Sequence, residues 1–158
     1  MKYFTTMVCF FTFFVMNAQN EGIKELPYSE IPEYPDTYTA GSVVSRMIDG
    51  LGFRYYWATE ELREVDLAYR PGDDSRSADE TLDHILGLSR VILNSALKKP
   101  NDRSQGSEEI LSFEEKRSQT LNNLRKASRI FLESDNLDEH PVIFISRDGE
   151  RQFPFWNQ

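Results

Sequence analysis

Residues 77–97 read SADETLDHILGLSRVILNSAL and predict one long amphipathic helix. Ser77 is followed three residues later by Glu80, which is the spacing of a capping box at the start of a helix. His84 lies at the edge of the apolar side of this helix. We therefore expect a helix that runs to about residue 98 and carries a histidine beside its buried face. Apolar or small side chains recur at helical spacing along that face: Leu82, Ile85, Ser89 and Ile92.

Two further segments predict long helices on either side of this one. Residues 41–62 place apolar or small side chains at positions 44, 48, 51, 55, 58 and 62, which fits one helical face. Ser112 and Glu115 form a second capping-box pattern, and an apolar face follows to about residue 133. The polar residues 100–109 predict a loop between antiparallel neighbours. The third predicted helix carries its apolar face at Phe113, Leu121, Leu124, Ala127 and Phe131.

The end of the chain changes from helical to strand-like spacing. Residues 142–146 are β-branched and aromatic, Asp148-Gly149 is a strong hairpin turn, and residues 151–156 predict a returning strand. Pro154 makes that strand irregular or places it at an edge. We expect a mainly all-α fold, an up-down bundle of three long helices with a small β-hairpin. One apolar side of such a bundle is left without cover, because a fourth helix is missing.

The first 18 residues have the pattern of a signal peptide. Lys2 precedes the apolar run Met7–Met16, which is too short to span a bilayer, and cleavage is expected after Ala18. The alternative is an uncleaved membrane anchor. We expect export to the periplasm or the extracellular space, with no stable membrane span after the signal is removed. Residues 19–38 then predict an extended arm rich in proline and tyrosine, and residues 39–158 a single domain.

Composition excludes several classes of function. The chain has 26 acidic and 18 basic residues and no clustered basic stripe, so nucleic acid is not an expected partner. The only cysteine, Cys9, leaves with the signal peptide. The mature chain therefore lacks disulfides, a cysteine nucleophile and thiolate metal ligands. No glycine-rich phosphate loop or nucleophile elbow is present.

His84 is the candidate metal ligand. A catalytic metal site usually takes three protein ligands and one open position, and Glu80 lies four residues before His84 on the same helical face. The alternative is a histidine at the core edge that bonds a neighbour. His140 precedes Pro141 and is expected to be a loop residue without a functional role.

The first predicted helix offers a candidate pocket for an anionic or thiol-bearing small molecule. An aromatic wall and a guanidinium would receive such a ligand. The alternative is that the aromatic side chains belong to the core and that Arg54 pairs with Asp49 or Asp83. The candidate pocket residues are Arg54, Tyr55, Tyr56, Trp57 and Glu60.

Three segments of the chain resemble the DinB-like (DinB/YfiT) superfamily, most closely its exported members from Bacteroidetes-type bacteria. The first two, GLGFRYYWATE at residues 50–60 and ETLDHILGLS at residues 80–89, are together fairly specific. The third is FPFWN at residues 153–157. The resemblance extends from about residue 28 to the end of the sequence.

This resemblance implies a four-helix bundle that holds a divalent metal, such as zinc, nickel or manganese, usually through three histidines. His84 stands where the second-helix ligand belongs, whereas His140 matches no ligand of the family. Characterised relatives include thiol-dependent S-transferases and a maleylpyruvate isomerase. In relatives of this kind, a helix with metal-binding histidine follows the aromatic segment, and this sequence lacks that helix.

Two functional hypotheses follow. The first is a metal-dependent hydrolase or thiol-transferase-like enzyme, in which His84 binds the ion and the first helix forms the pocket for an unknown small-molecule substrate. The second is a non-catalytic exported bundle, a binding module or gene remnant, whose uncovered apolar face makes it self-associate as a homo-dimer.

Overall fold

The structure, a computed structural model, describes residues 25–102 and 110–155 and is mainly helical with a small sheet. The predicted signal peptide at residues 1–18 and the final residues 156–158 lie outside the described residues. All three predicted long helices and the hairpin are present. The helices are α1 (Ala40–Ala58), α2 (Glu64–Leu67), α3 (Ala78–Ala96) and α4 (Phe113–Leu132), and the strands are β1 (Asn101–Asp102), β2 (Val142–Ser146) and β3 (Gly149–Phe153).

Capping boxes set the starts of the long helices. Ser77 Oγ accepts a bond of 3.1 Å from the Glu80 amide, and the Glu80 carboxylate accepts one of 2.8 Å from the Ser77 amide. Ser112 and Glu115 form the same reciprocal pair at the start of α4. Both starts agree with the prediction. At α1 the N-cap is Thr39, in a box whose partner is a serine rather than the Glu or Gln of the usual pattern.

The predicted extension of α1 to residue 62 is wrong. The helix ends at Ala58, and the Thr59 hydroxyl donates a bond of 2.7 Å to the Tyr55 carbonyl. Glu61 has a positive φ of 56°, a left-handed conformation that cannot continue an α-helix. The chain then forms the short helix α2, which the hydrophobic spacing did not reveal.

Helix α4 lies at the centre of the bundle and runs antiparallel to α1. Near the start of α1, the Ser45 and Ser128 hydroxyls are hydrogen-bonded at 2.8 Å. Near its end, Arg117 Nε donates a bond of 3.0 Å to the Thr59 hydroxyl. Residues that are early in α1 therefore meet residues that are late in α4.

Helix α3 runs parallel to α4, so the prediction of antiparallel neighbours in a simple up-down bundle is wrong here. Asp79, in the first turn of α3, pairs with Lys116 in the first turns of α4. Farther along both helices, the Asn123 amide donates a bond of 3.0 Å to the Ser89 hydroxyl. Consecutive helices that lie parallel in a bundle are joined by a long crossover connection rather than by a tight turn.

The sheet is small and has β2 at its centre. β3 pairs antiparallel with β2 from Ser146↔Gly149 to Val142↔Phe153, which confirms the hairpin turn. The returning strand begins at Gly149 rather than residue 151 and ends before Pro154, because proline has no amide to donate. β1 pairs parallel with β2 inside the segment that was predicted to be a loop.

The buried core lies where α1 and α3 pack on α4. The predicted apolar face of α4 is buried from Leu121 to Phe131. The predicted face of α1 is only partly right, since Leu51 and Ala58 are exposed while Gly41 and Ser45 are buried. The principal core residues are Tyr28, Ile48, Tyr55, Leu82, Ala96, Leu121, Leu124, Ala127, Phe131 and Phe155.

The arm before α1 is held by one tyrosine rather than three. Tyr28 is buried, and its hydroxyl donates a bond of 2.9 Å to the buried carboxylate of Asp49. Tyr34 and Tyr38 of the same arm are exposed, so they do not anchor it to the bundle in this way. Tyr28 has a positive φ of 78°, which this buried hydrogen bond and the packing on Gly52 maintain.

Substituting Tyr28→Phe tests the arm contact and its pH dependence. At pH 7 we expect the free energy of unfolding to fall by about 1–3 kcal/mol, because the buried Asp49 carboxylate loses a hydrogen-bond donor. Burial and the adjacent Asp49 raise the pKa of Tyr28, whereas an unfolded tyrosine titrates near pH ~10. The stability that neutral Tyr28 supplies is thus complete below pH ~10 and is lost as the pH rises above it.

We therefore expect the stability difference between wild type and Tyr28→Phe to narrow above pH ~10 in urea unfolding series. Tyr34→Phe is the control, since Tyr34 is exposed and the loss of its hydroxyl should leave the free energy of unfolding at pH 7 unchanged. A difference that stays constant to pH ~11 would show that Tyr28 titrates normally in the folded protein.

Candidate functional site

The candidate site is an open apolar groove between α1 and α3, which we call the α1–α3 groove. Both helices pack on α4 but barely touch each other, so a corner of the bundle is left open. The groove has a volume of about 760 Å³. Its main lining residues are Val43, Val44, Met47, Ile48 and Leu51 of α1 and Ile92 of α3, together with Leu137 and Phe155.

Three apolar side chains on the α1 side of the groove are unusually exposed to solvent. Met47 is 69% exposed, Val43 47% and Leu51 46%, and the three lie four residues apart on one side of the helix. None of the described residues that line the groove carries a charge. Contiguous exposed apolar surface of this kind marks an interaction site.

His84 lies on the open side of α3. It is exposed, and helical spacing places it in line with the exposed Leu88 and with Ile92 of the groove. The position beside the apolar stripe agrees with the sequence prediction. Asp83, the residue before His84 and about 100° away around the helix, pairs with Lys116 of α4.

The structure does not gather metal ligands around His84. Glu80, the predicted co-ligand, accepts bonds of 2.8 Å from Arg70 and from the Ser77 amide, and these two interactions lower its pKa. Within residues 25–102 and 110–155, no group of three or more His, Cys, Asp or Glu side chains is placed to hold a metal ion. The described chain alone therefore supplies His84 without a ligand set.

His140 has a structural place that the sequence did not reveal. It is buried, its ring packs edge-on against Phe131 at a centroid distance of 5.0 Å, and its Nε2 lies 3.0 Å from the Ser134 hydroxyl. These contacts join the end of α4 to the start of β2.

The residues that were predicted to form a pocket on α1 make separate contacts within the fold instead. Tyr55 is buried in the core, and Trp57 Nε1 donates a bond of 3.2 Å to the Ser29 carbonyl. Arg54 Nη1 donates a bond of 2.9 Å to the Gly50 carbonyl rather than pairing with the carboxylates that were considered.

Arg117 of α4, rather than Arg54 of α1, supplies the guanidinium beside an aromatic side chain of α1. Its guanidinium lies 4.5 Å from the Tyr56 ring centroid and pairs with Glu60. The pairing crosses from α4 to α1, so no spacing within α1 could indicate it. An aromatic and cationic contact does form there, but it links two helices.

A buried lysine joins the starts of α3 and α4. Lys116 is buried, and its Nζ lies 2.9 Å from carboxylate oxygens of both Asp79 and Asp83. Burial acts to lower the pKa of Lys116, but the two carboxylates outweigh it and the pKa is raised. Lys116 thus links α3 and α4 through ion pairs. The sequence contained no local signal for this contact.

The fold and the groove define the class of protein. It is a mainly α-helical bundle with a small three-stranded sheet and one open apolar corner. No protein-family model matches the chain, and neither the curated proteins nor the solved structures contain a significantly similar chain. Among the described helices, none is both long and apolar enough to cross a membrane.

Proposed function

We propose that this protein is an exported helical binding module whose α1–α3 groove takes up an apolar helix. The observation that carries the proposal is the exposed stripe of Val43, Met47 and Leu51 in a groove where no lining residue that the structure describes is charged. A small molecule is a poorer fit, because ligand pockets hold a few convergent polar groups that fix orientation. A helix needs only a shaped apolar surface.

The proposal includes a DinB-like origin and export through the signal-like residues 1–18. Of the three segments that resemble the DinB-like superfamily, residues 50–60 begin in α1 and residues 80–89 lie in α3, so both walls of the groove carry one. Phe155, from the third segment, lines the groove itself. We propose that the open corner between α1 and α3 takes the helix that this resemblance adds as a fourth one.

Substituting Met47→Glu tests the groove as a binding surface. At high dilution, the wild-type protein should bind an apolar fluorescent dye such as anilinonaphthalene sulfonate, and the variant should bind it about tenfold more weakly, because a carboxylate in the groove must be desolvated. Val65→Glu is the matched control, since Val65 is 65% exposed on α2, away from the groove. Equal dye binding by all three proteins would refute the groove as a binding surface.

A second candidate function is a divalent metal site with His84 as one ligand. The observation that favours it is the exposure of His84 on the side of α3 that leads into the groove. A helix bound there would lie beside His84 and would bring further ligands to zinc, nickel or manganese. Such a centre would serve the hydrolase or thiol-transferase chemistry of the first hypothesis on a small-molecule substrate.

Elemental analysis tests the metal candidate. If this second function is right, about one metal ion per chain will be found in the wild type after expression with zinc, nickel and manganese, and it will be lost in His84→Ala. Arg90→Ala is the control, because Arg90 is an exposed residue of α3 that contacts Gln119 of α4. Absence of all three metals from the wild type would rule out this function.

A further inference from the structure

We infer that the helix in the α1–α3 groove is α1 of a second copy of this chain, packed antiparallel to the first. This inference rests on the proposed function, because it names the occupant of the groove. Each copy would insert its own exposed ridge into the groove of the other. The two chains would then share a core built from α1 and α3 of both copies.

The spacing of the exposed ridge is compatible with two-fold symmetry. Val43, Met47 and Leu51 are separated by four residues on each side of Met47. In an antiparallel pair with Met47 opposite Met47 of the second copy, Val43 faces Leu51 and Leu51 faces Val43. The same surface thus serves as both partners, as a closed two-fold dimer requires.

Charge also favours α1 as a surface on which two copies can meet. The whole chain has a formal charge of −8, so two copies repel each other over most orientations. In α1 the single acidic residue is Asp49, which is buried and bonded to Tyr28. The exposed face of α1 therefore adds no negative charge to an interface.

The antiparallel register brings opposite charges together at the ends of the paired helices. With Met47 at the two-fold axis, the exposed Arg54 of one copy comes level with Ala40 of the other. The exposed Asp36 stands in the arm just before that residue. The two symmetric Arg54–Asp36 encounters favour this orientation over a parallel one and should weaken in high salt.

Sedimentation equilibrium and site-directed cross-linking test the inference. The wild type should form a dimer, Met47→Glu should raise the dimer dissociation constant at least tenfold, and Val65→Glu should leave it unchanged. In a Cys9→Ser background, Met47→Cys should be linked into covalent dimers by a short bis-maleimide, whereas Val65→Cys should not. Circular dichroism checks that each variant is folded, which the exposure of Met47 and Val65 favours.

The outcomes separate this inference from the proposed function. A dimer that survives Met47→Glu, or one that is cross-linked through Val65→Cys, overturns the inference. A wild type that stays monomeric while its dye binding depends on Met47 also overturns it, but leaves the groove as a binding surface for another helix. A wild type that stays monomeric and whose dye binding does not depend on Met47 refutes both the inference and the proposed function.

Discussion

Substituting Phe131→Ala is expected to lower the free energy of unfolding by about 4 kcal/mol, the largest effect of any single change considered. Phe131 has no exposed surface. Its ring packs edge-on against His140 at 5.0 Å and against Phe155 at 5.6 Å. Removing it leaves a cavity where α4, the segment before β2 and the end of the described chain meet.

Urea unfolding followed by circular dichroism measures this loss. Leu132→Ala is the matched control, because Leu132 is the next residue of α4 and is 39% exposed. We expect the control to cost less than about 1 kcal/mol. Similar losses for the two variants would mean that Phe131 is not the centre of the core.

Substituting Gly41→Ala is expected to lower the free energy of unfolding by about 3 kcal/mol. A methyl group at Gly41 would lie 2.2 Å from the carbonyl oxygen of Phe131 and 2.4 Å from that of Ser134. Both are backbone atoms and cannot rotate away. The start of α1 would have to move off the end of α4, which would also distort the α1–α3 groove.

Gly87→Ala is the matched control for this change, since it makes the same substitution at a helical glycine. A methyl group there meets nothing within 4 Å. It should raise the free energy of unfolding by about 0.5–1 kcal/mol, because alanine favours the helix over glycine. If Gly41→Ala and Gly87→Ala both gained stability in thermal or urea unfolding, α1 would not approach α4 as closely at Gly41 as described.

Local signals explain why much of the fold was predictable. The capping boxes at Ser77 and Ser112 place the starts of α3 and α4 correctly, because they depend on residues only three positions apart. The hairpin between β2 and β3 follows from Asp148-Gly149 for the same reason.

The errors concern contacts between distant parts of the chain. The parallel course of α3 and α4 is seen in contacts between the two helices, and spacing within each helix carries no information about direction. The pairing of β1 with β2 joins residues far apart in sequence. The exposure of Leu51 depends on what packs beside α1, which its helical period alone does not determine.

The candidate site was predictable in outline. An uncovered apolar side was expected from three helices and a small hairpin, and the exposed Met47 agrees with that expectation. His84 was correctly placed beside the apolar stripe of its helix. The roles of Glu80 and Arg117 were not predictable, because their partners Arg70 and Tyr56 come from other elements.

The central claim is that the α1–α3 groove is open in a single chain and is closed by a second copy. The most direct test is methyl NMR of Met47 with a soluble paramagnetic probe over a dilution series, because the probe relaxes only exposed methyl groups. We predict strong relaxation at the lowest concentration and protection that increases with concentration. Relaxation that is the same at every concentration would contradict the claim.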